Sequence, residues 1–285
     1  MQPRFHSDIA TDTAHSGPAE MSAHEFERVA SRVLSMAGIV LEPHKRQMII
    51  SRLSRRLRER NFATVSEYLD FLDKGTDTTE LQEFVNTLTT NLTSFFREAH
   101  HFGHFERNVL SAFSASGQSK LRVWSAGCSS GEEPYSIALS ALEALGSLPA
   151  DLRILATDLD TKMLDRGKAA SYAPDRIRDV EARYRRHMLE DPGTDTVNMP
   201  RAAVKAITFR QLNLLEPWPM SGLFDVIFCR NVMIYFSAKT KSKLVDQFAQ
   251  FLAPGGYLYL GHSESLLGAH PCLKSCGETI YQRVA

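Results

Sequence analysis

The sequence predicts an α/β fold in which helices cover both faces of a parallel sheet. Three observations predict this arrangement. From Lys120 onward, short apolar runs alternate with helical segments, which is typical of a parallel sheet. Residues 21–90 instead repeat apolar side chains at steps of three and four, which indicates a separate N-terminal helical domain. A stretch from about Tyr172 to Thr208 interrupts the alternation, and we expect a small inserted β-subdomain there.

Composition limits the class of protein. The 285 residues are 43% hydrophobic and 23% charged, and 33 basic residues balance 33 acidic ones. This is ordinary globular composition, and the zero net charge supplies no overall attraction to nucleic acid or to an anionic membrane. Residues 1–20 lack the apolar core of a signal peptide, so we expect a mobile tail on a cytoplasmic protein. The four cysteines form no CxxC pair, so we expect neither disulfides nor a zinc site.

The N-terminal helical domain is predicted to contain about four helices. One apolar stripe includes Phe26, Val29 and Val33, and a second includes Ile49 and Leu53. A third helix is predicted to start at Thr64, because Glu67 follows three residues later and completes a capping box.

Four apolar runs are the predicted strands of the sheet. They read "LRVWSA", "LRILATD", "FDVIFCR" and "GGYLYLG". In a sheet of this kind the ligand binds at the carboxyl ends of the strands, where the strand order reverses. The residues that follow each run are therefore the candidates for a binding site.

The turn after the first run, "GCSSGEEP", is small and glycine-containing but acidic. It lacks the GxGxxG pattern that lets the backbone approach a diphosphate, and it carries Glu132 and Glu133. Asp158 ends the second run, where a carboxylate holds a ribose diol. A ligand with adenosine and positive charge, such as S-adenosylmethionine, fits both features. The alternative is that the two glutamates are only favoured by the dipole at a helix N-terminus.

Four motifs resemble those of the chemotaxis receptor methyltransferases, the CheR family. They are "TTNLTSFFREAHHF", "WSAGCSSGEEPYS", "LNLLEPWP" and "FDVIFCRNVMIYF", in the family's order, and the similarity runs from about Ser22 to the C terminus. The resemblance implies a class I S-adenosylmethionine-dependent methyltransferase (Rossmann-like) domain over residues 91–285, an N-terminal all-α domain and a small inserted β-subdomain. It also implies methyl transfer to glutamate side chains of chemoreceptors, with S-adenosylhomocysteine as product.

Transferred motif by motif, the resemblance implies a set of cofactor contacts at the strand ends and in the segment before the sheet. No metal is implied. The implied cofactor contacts are Asn91, Thr93, Arg97, Glu133, Asp158, Asn213, Leu214, Arg230 and Asn231.

The candidate catalytic residues are Arg97 and Tyr235. Methyl transfer to a carboxylate needs no general base, because the acceptor is already ionised at neutral pH. A cation and a phenol can orient such an acceptor, and no His/Asp or Ser/His pairing occurs in the strand-end motifs. The alternatives are a structural ion pair for Arg97 and a buried, hydrogen-bonded phenol for Tyr235. His100 and His104 lie one helical turn apart, but without a nearby carboxylate motif we expect no metal.

The helix predicted over Lys45–Arg60 is the candidate substrate-binding surface. It carries seven basic residues and one acidic residue. Chemoreceptor signalling domains resemble long acidic helical bundles, which a basic helix complements. One alternative is a plain solvated helix, and others are a nucleic-acid methyltransferase or a non-catalytic receptor-binding module. The candidate substrate contacts are Arg52, Arg55, Arg56 and Arg58.

The insertion is predicted to form a hairpin with an exposed edge strand that includes Val204 and Ala206. Some family members hold a short peptide from the receptor C terminus at this position, and an edge strand can do so by β-augmentation. The alternative is a hairpin that binds nothing. We expect a monomer whose partners are chemoreceptors, with no nucleic acid and no membrane insertion.

Overall fold

The computed structural model describes residues 21–266 and 268–284. The predicted tail, residues 1–20, lies outside the described residues. Among the helices that the structure describes, none combines the length and apolarity needed to cross a bilayer.

Residues 21–90 fold into four α-helices around a core of their own. They are α1 (Ala23–Ala37), α2 (Arg46–Arg60, preceded by a 3₁₀ turn), α3 (Val65–Asp73) and α4 (Thr78–Leu88). The predicted helix start at Thr64 is confirmed, since its side chain accepts a hydrogen bond from the N–H of Glu67. The fully buried side chains of this core include Val29, Ile49, Leu53 and Phe84.

The chain then enters the α/β part. A helical segment comprises α5 (Ala99–His104), a π-helical stretch (Phe105–Leu110) and α6 (Ser111–Ser116). The first half of the sheet follows as β1 (Lys120–Ala126), α7 (Glu132–Leu145), β2 (Asp151–Asp158) and α8 (Thr161–Ala169). Because alternate residues of a strand face opposite sides, Val123 of β1 packs in one core cluster and Trp124 in another.

The insertion forms a separate small sheet. Its elements are β3 (Ser171–Tyr172), a 3₁₀ turn (Pro174–Ile177), α9 (Ala182–Arg185), β4 (Leu189–Asp191) and β5 (Thr196–Asn198), and the three strands are ordered β3-β5-β4. The predicted edge strand at Val204 and Ala206 is wrong. These residues lie in α10 (Arg201–Ala206), because a run rich in alanine favours a helix over a strand.

The second half of the sheet contains β6 (Ile207–Gln211), β7 (Phe224–Cys229), α11 (Ala238–Phe251), β8 (Leu252–Leu260), β9 (Leu273–Gly277) and β10 (Ile280–Arg283). The seven strands are ordered β6-β2-β1-β7-β8-β10-β9. The first five are parallel, as predicted, but β10 runs antiparallel to both β8 and β9. The reversal occurs at Glu278 and Thr279, whose positive φ angles suit a two-residue hairpin turn.

The strand order places a binding site. From β1 the chain proceeds to β2 on one side and returns later to β7 on the other, so the order reverses between β1 and β7. The loops that follow these two strands separate at that point and leave a crevice at their carboxyl ends. The helical part closes one side of this crevice, since Gln82 and Asn86 of α4 donate hydrogen bonds to Leu159 O (3.0 Å) and Thr161 Oγ1 (3.1 Å).

Candidate active site

A cavity opens at the carboxyl ends of β1 and β7. It is lined by the segment before α5, by the turns after β1, β2, β6 and β7, and by the loop after α1. Every residue that the motifs implied as a cofactor contact lines this one cavity, and Tyr235 lines it too. These residues come from five separate parts of the sequence, so the fold brings the predicted set together.

The turn after β1 approaches its neighbours too closely for a side chain at its first position. Gly127 has a φ of +85°, and its N–H donates to the carbonyl of Thr157 at 2.8 Å. A Cβ on Gly127 would lie 2.2 Å from Cγ2 of Val232. Glycine at this position therefore keeps the backbone of the turn open to the cavity.

Asp158 is held by the backbone at the end of β2. Its Oδ2 accepts the N–H of Ser129 at 2.7 Å, and its Oδ1 accepts the N–H of Asp160 at 2.9 Å. Burial raises the pKa of Asp158 to about 6, although these hydrogen bonds lower it in part. The carboxylate is fixed in place with lone pairs left for a diol, which suits the ribose of an adenosyl group.

Glu133 and Arg230 form a buried pair beside Asp158. Glu133 accepts hydrogen bonds from Ser125 Oγ (2.7 Å) and Arg230 Nη1 (3.1 Å), and burial raises its pKa despite the arginine charge. The other terminal nitrogen of Arg230 lies 3.2 Å from a Glu98 oxygen and also donates to the carbonyl of Arg97. One guanidinium thus lies between two carboxylates, and the excess negative charge favours a cationic ligand group such as an ammonium or sulfonium.

Glu132, the other carboxylate of the turn, does not line the cavity. It is 1% exposed and forms an ion pair with Arg176 from the insertion. The expectation that both glutamates attract a cationic ligand therefore needs a correction. Only Glu133 faces the site, because the first turn of a helix directs consecutive side chains to different sides.

Glu98 contacts two residues that line the cavity, Arg230 and Asn231, and sequence reasoning missed it. Its backbone is left-handed, with a φ of +57°, and its Oε1 accepts from His262 Nδ1 (2.9 Å) and Asn231 Nδ2 (3.2 Å). Burial opposes its ionisation, but the bond from His262 and the charge of Arg230 lower the pKa of Glu98 to about 2. Its position directly after Arg97 in "SFFRE" was the only available signal.

The remaining implied contacts are fixed by polar partners. Asn91 Nδ2 donates to Asp160 at 2.7 Å, and Asn213 Nδ2 donates to the carbonyl of Met36 at 2.8 Å. The carbonyl of Thr93 accepts a hydrogen bond from Arg176 at 2.9 Å. Asn213 thereby ties the loop after β6 to the end of α1.

Arg97 and Tyr235 are both half-buried at the cavity. Arg97 donates to the carbonyl of Leu92 at 2.8 Å, and it forms no ion pair with any residue that the structure describes. Tyr235 ends a 3₁₀ turn, Met233–Tyr235, and within the described residues its hydroxyl has no hydrogen-bond partner. The Nζ of Lys45 lies 5.7 Å from the centre of the tyrosine ring.

The loop after α1 supplies a wall that the sequence did not predict. The loop residues carry no polar motif, so no local pattern indicates that they lie at a ligand site. The N-terminal residues that line the cavity are Ala37, Ile39, Val40, Leu41, Lys45 and Met48.

Two family models match most of the chain. Residues 91–282 match the family model described as "CheR methyltransferase, SAM binding domain", and residues 24–89 match "CheR methyltransferase, all-alpha domain". The chain belongs to the CheR methyltransferase family. Membership confirms the predicted class I methyltransferase fold and S-adenosylmethionine as the methyl donor of this enzyme, and the donor set around Asp158 and Glu133 fits that molecule.

Relatives match nearly the whole chain. Chemotaxis protein methyltransferase 2 of Pseudomonas aeruginosa is 40% identical over 264 residues, which is 90% of this chain and 92% of that protein. The chemotaxis protein methyltransferases of Klebsiella aerogenes and Escherichia coli K12 are 38% and 37% identical, each over 92% of this chain and over 90% and 91% of their own length.

The basic helix of this CheR family member presents fewer free charges than predicted. Arg56 pairs with the buried Glu80, with Nε and Oε1 2.8 Å apart, and Arg52 donates to the carbonyl of Thr89 at 2.6 Å. These two guanidiniums stabilise the contact of α2 with α4 and its C-terminal end. Arg55 and Arg58 are exposed, and Arg55 Nε donates to Glu59 Oε1 at 3.0 Å.

His104 and two of the cysteines contact other residues inside the protein. His104 Nδ1 lies 2.8 Å from the hydroxyl of Tyr259, and no cluster suited to a metal occurs among residues 21–266 and 268–284. Cys128 and Cys229 are buried free thiols on adjacent strand ends, and burial raises the pKa of both. They act as small core residues.

Proposed function

We propose that this protein transfers the methyl group of S-adenosylmethionine to glutamate carboxylates of chemoreceptors, forming methyl esters that serve chemotactic adaptation. The charged residues that line the cavity support a carboxylate as the methyl acceptor. The cavity is lined by three cations, Lys45, Arg97 and Arg230, and by two carboxylates that already have partners, Glu133 and Asp158. Among the described lining residues there is no histidine, and both carboxylates accept hydrogen bonds from neighbouring groups of the protein.

An ionised carboxylate is the acceptor that this arrangement suits. A glutamate is deprotonated at neutral pH and needs no base, whereas an amine or hydroxyl acceptor has to lose a proton. S-adenosylmethionine supplies the electrophilic methyl group when bound. Arg97 and Tyr235 orient the acceptor oxygen, with the guanidinium as cation and the phenol as hydrogen-bond donor, so that positioning accounts for most of the rate.

The exposed arginines of α2 support an acidic helical partner. Arg58 is exposed, and Arg55 has a side chain that is 79% exposed, although its Nε lies 3.0 Å from Glu59 Oε1. Lys45 lies at the start of this helix and lines the cavity. A receptor bundle that contacts α2 would bring its glutamates to the cavity mouth. We propose that the enzyme acts as a monomer in the cytoplasm, where such receptor domains lie.

The insertion is the proposed site for a peptide from the receptor C terminus. Its three-stranded sheet ends in the edge strand β4, where Leu189 and Glu190 are exposed. The receptor peptide would pair with β4 as an added strand through main-chain hydrogen bonds. Because the peptide is attached to the receptor, its binding would raise the local concentration of receptor at the enzyme.

The acceptor is tested by the chemistry of the product. The enzyme is incubated with a receptor cytoplasmic fragment and methyl-labelled S-adenosylmethionine. A glutamyl methyl ester releases labelled methanol in mild base, and a fragment with its candidate glutamates changed to alanine should not be labelled. Label that resists base would contradict a carboxylate acceptor.

A further inference from the structure

Glu264 is a buried carboxylate that the proposed mechanism does not use. It lies in the turn after β8 and is 4% exposed. Its Oε2 accepts the N–H groups of Asn231 (2.7 Å) and Gly261 (2.8 Å), and its Oε1 accepts the N–H of Ile234 (3.0 Å). All three donors are main-chain groups, and they belong to the loops that follow two neighbouring strands, β7 and β8.

The two donors from the β7 loop, Asn231 and Ile234, belong to the part of the chain that forms the site. Asn231 and Val232 line the cavity at one end of this segment and Tyr235 lines it at the other. The backbone of Asn231 is left-handed, with a φ of +60°, a conformation that non-glycine residues adopt rarely. Hydrogen bonds to a charged carboxylate are stronger than those to a neutral acceptor, so Glu264 favours this conformation.

The approach of the two loops depends on Gly261. A Cβ at this position would lie 2.6 Å from Asn231 Nδ2 and 2.7 Å from Glu264 Oε2. Glycine thus permits the contact between the carboxylate and the β7 loop. The contact therefore depends on the Glu264 carboxylate and on the absence of a side chain at Gly261.

We propose that Glu264 is a positioning residue for methyl transfer, which holds Asn231 against the cofactor and Tyr235 against the acceptor through its three main-chain hydrogen bonds. Glu264 itself does not line the cavity, so it acts through the loop. The part that concerns Tyr235 rests on the proposed function, whereas the part that concerns Asn231 depends only on cofactor binding.

Glu264→Gln tests the proposal with little change in shape. The amide keeps one acceptor oxygen but turns an NH₂ group toward a main-chain donor, so the loop loses one of its bonds. We expect S-adenosylhomocysteine to bind about tenfold more weakly, and the rate of methyl transfer to fall by at least as much. Both are measured at a temperature where near-ultraviolet circular dichroism shows the variant to be folded.

Asp225→Asn is the matched control. Asp225 is a carboxylate at the opposite end of β7, away from the cavity, and it accepts the N–H of Arg122 at 2.7 Å. Its replacement should lower the melting temperature while S-adenosylhomocysteine affinity stays within about twofold of wild type. An equal loss of affinity in both variants would show that general destabilisation is the cause and would overturn the proposal.

A double-mutant cycle separates positioning from a merely structural role. If Glu264 acts through Asn231, Glu264→Gln should change S-adenosylhomocysteine affinity less than about twofold once Asn231 is alanine. Additive losses of S-adenosylhomocysteine affinity in the double mutant, or wild-type affinity in Glu264→Gln, would refute the positioning role of Glu264. Should that variant not fold, Glu264→Asp, which keeps the carboxylate but shortens the side chain, enters the same cycle. Failure of the wild-type enzyme to methylate receptors would contradict the proposed acceptor alone, since the affinity cycle does not involve it.

Discussion

Val40 donates its backbone N–H to the backbone carbonyl of Tyr235 at 2.9 Å. The bond joins the loop after α1 to the turn that carries the candidate catalytic phenol. Both residues line the cavity, so the N-terminal helical part is directly involved in shaping the site.

Val40→Pro should lower the rate of receptor methylation about fivefold, because proline removes the donor and one hydrogen bond contributes about 1 kcal/mol. Turnover is measured at saturating S-adenosylmethionine. Val40→Ala keeps the N–H and serves as control, with a rate near wild type. Equal rates for the two variants would show that the bond between the two segments does not matter for turnover.

Asp158→Ala should weaken S-adenosylhomocysteine binding by about 1.5 to 3 kcal/mol, the range for hydrogen bonds to a charged group. Calorimetric titration measures the loss. Asp165→Ala is the control, since Asp165 lies on α8 with a side chain that is 72% exposed. The site assignment fails if Asp158→Ala folds normally and binds with wild-type affinity.

The affinity for S-adenosylhomocysteine should fall as the pH drops below about 6. Burial raises the pKa of Asp158 to about 6, and the ribose hydroxyls are donors that favour its ionised form. Binding therefore lowers this pKa and releases protons near pH 6, and affinity should decrease about tenfold per pH unit well below it. Titrations in buffers of different ionisation enthalpy count the protons. In Asp158→Asn this pH dependence should be absent, and its persistence would assign it to another group.

Arg97→Ala and Tyr235→Phe should each lower the rate constant for methyl transfer more than they weaken S-adenosylhomocysteine binding. Their proposed partner is the acceptor carboxylate, so their interactions matter most during transfer, and a loss of about tenfold or more is expected. Tyr257→Phe, in the middle of β8, is the control and should turn over normally. A wild-type rate for Tyr235→Phe would remove the phenol from the mechanism.

A peptide from the C terminus of a cognate chemoreceptor should bind the insertion independently of S-adenosylmethionine. Successive N–H groups of an edge strand point alternately toward the neighbouring strand and away from the sheet, so one of Leu189 and Glu190 has an outward N–H. Proline at that position removes the donor, so one of the two variants Leu189→Pro and Glu190→Pro should abolish peptide binding. Affinity for S-adenosylhomocysteine should not change. Wild-type peptide affinity in both variants would exclude this edge, and no binding by any receptor peptide would leave recognition to α2.

Much of the fold and most of the site could be predicted from the sequence. Each of the four predicted runs ends at or one residue beyond the end of a strand of the main sheet, because their apolar pattern is local and strong. Asp158 was predicted from its place at the end of a strand, and the other cofactor contacts came from motif resemblance. All of them line one cavity. The hairpin of β9 and β10 was missed because β9 is mostly exposed and β10 has only four residues, of which two are apolar.

By itself, then, the sequence determined four of the parallel strands, their carboxyl ends and the family. The tertiary structure decided which charges are available. Glu132 and Arg56 are both charged and both lie in functional motifs or surfaces, yet Arg176 and Glu80 bind them internally. Arg230 and Glu133 are 97 positions apart in the chain, and Glu264 is bonded to loops of two different strands. Local patterns cannot specify such pairs, because the partners meet only when parallel strands that are distant in sequence are placed side by side.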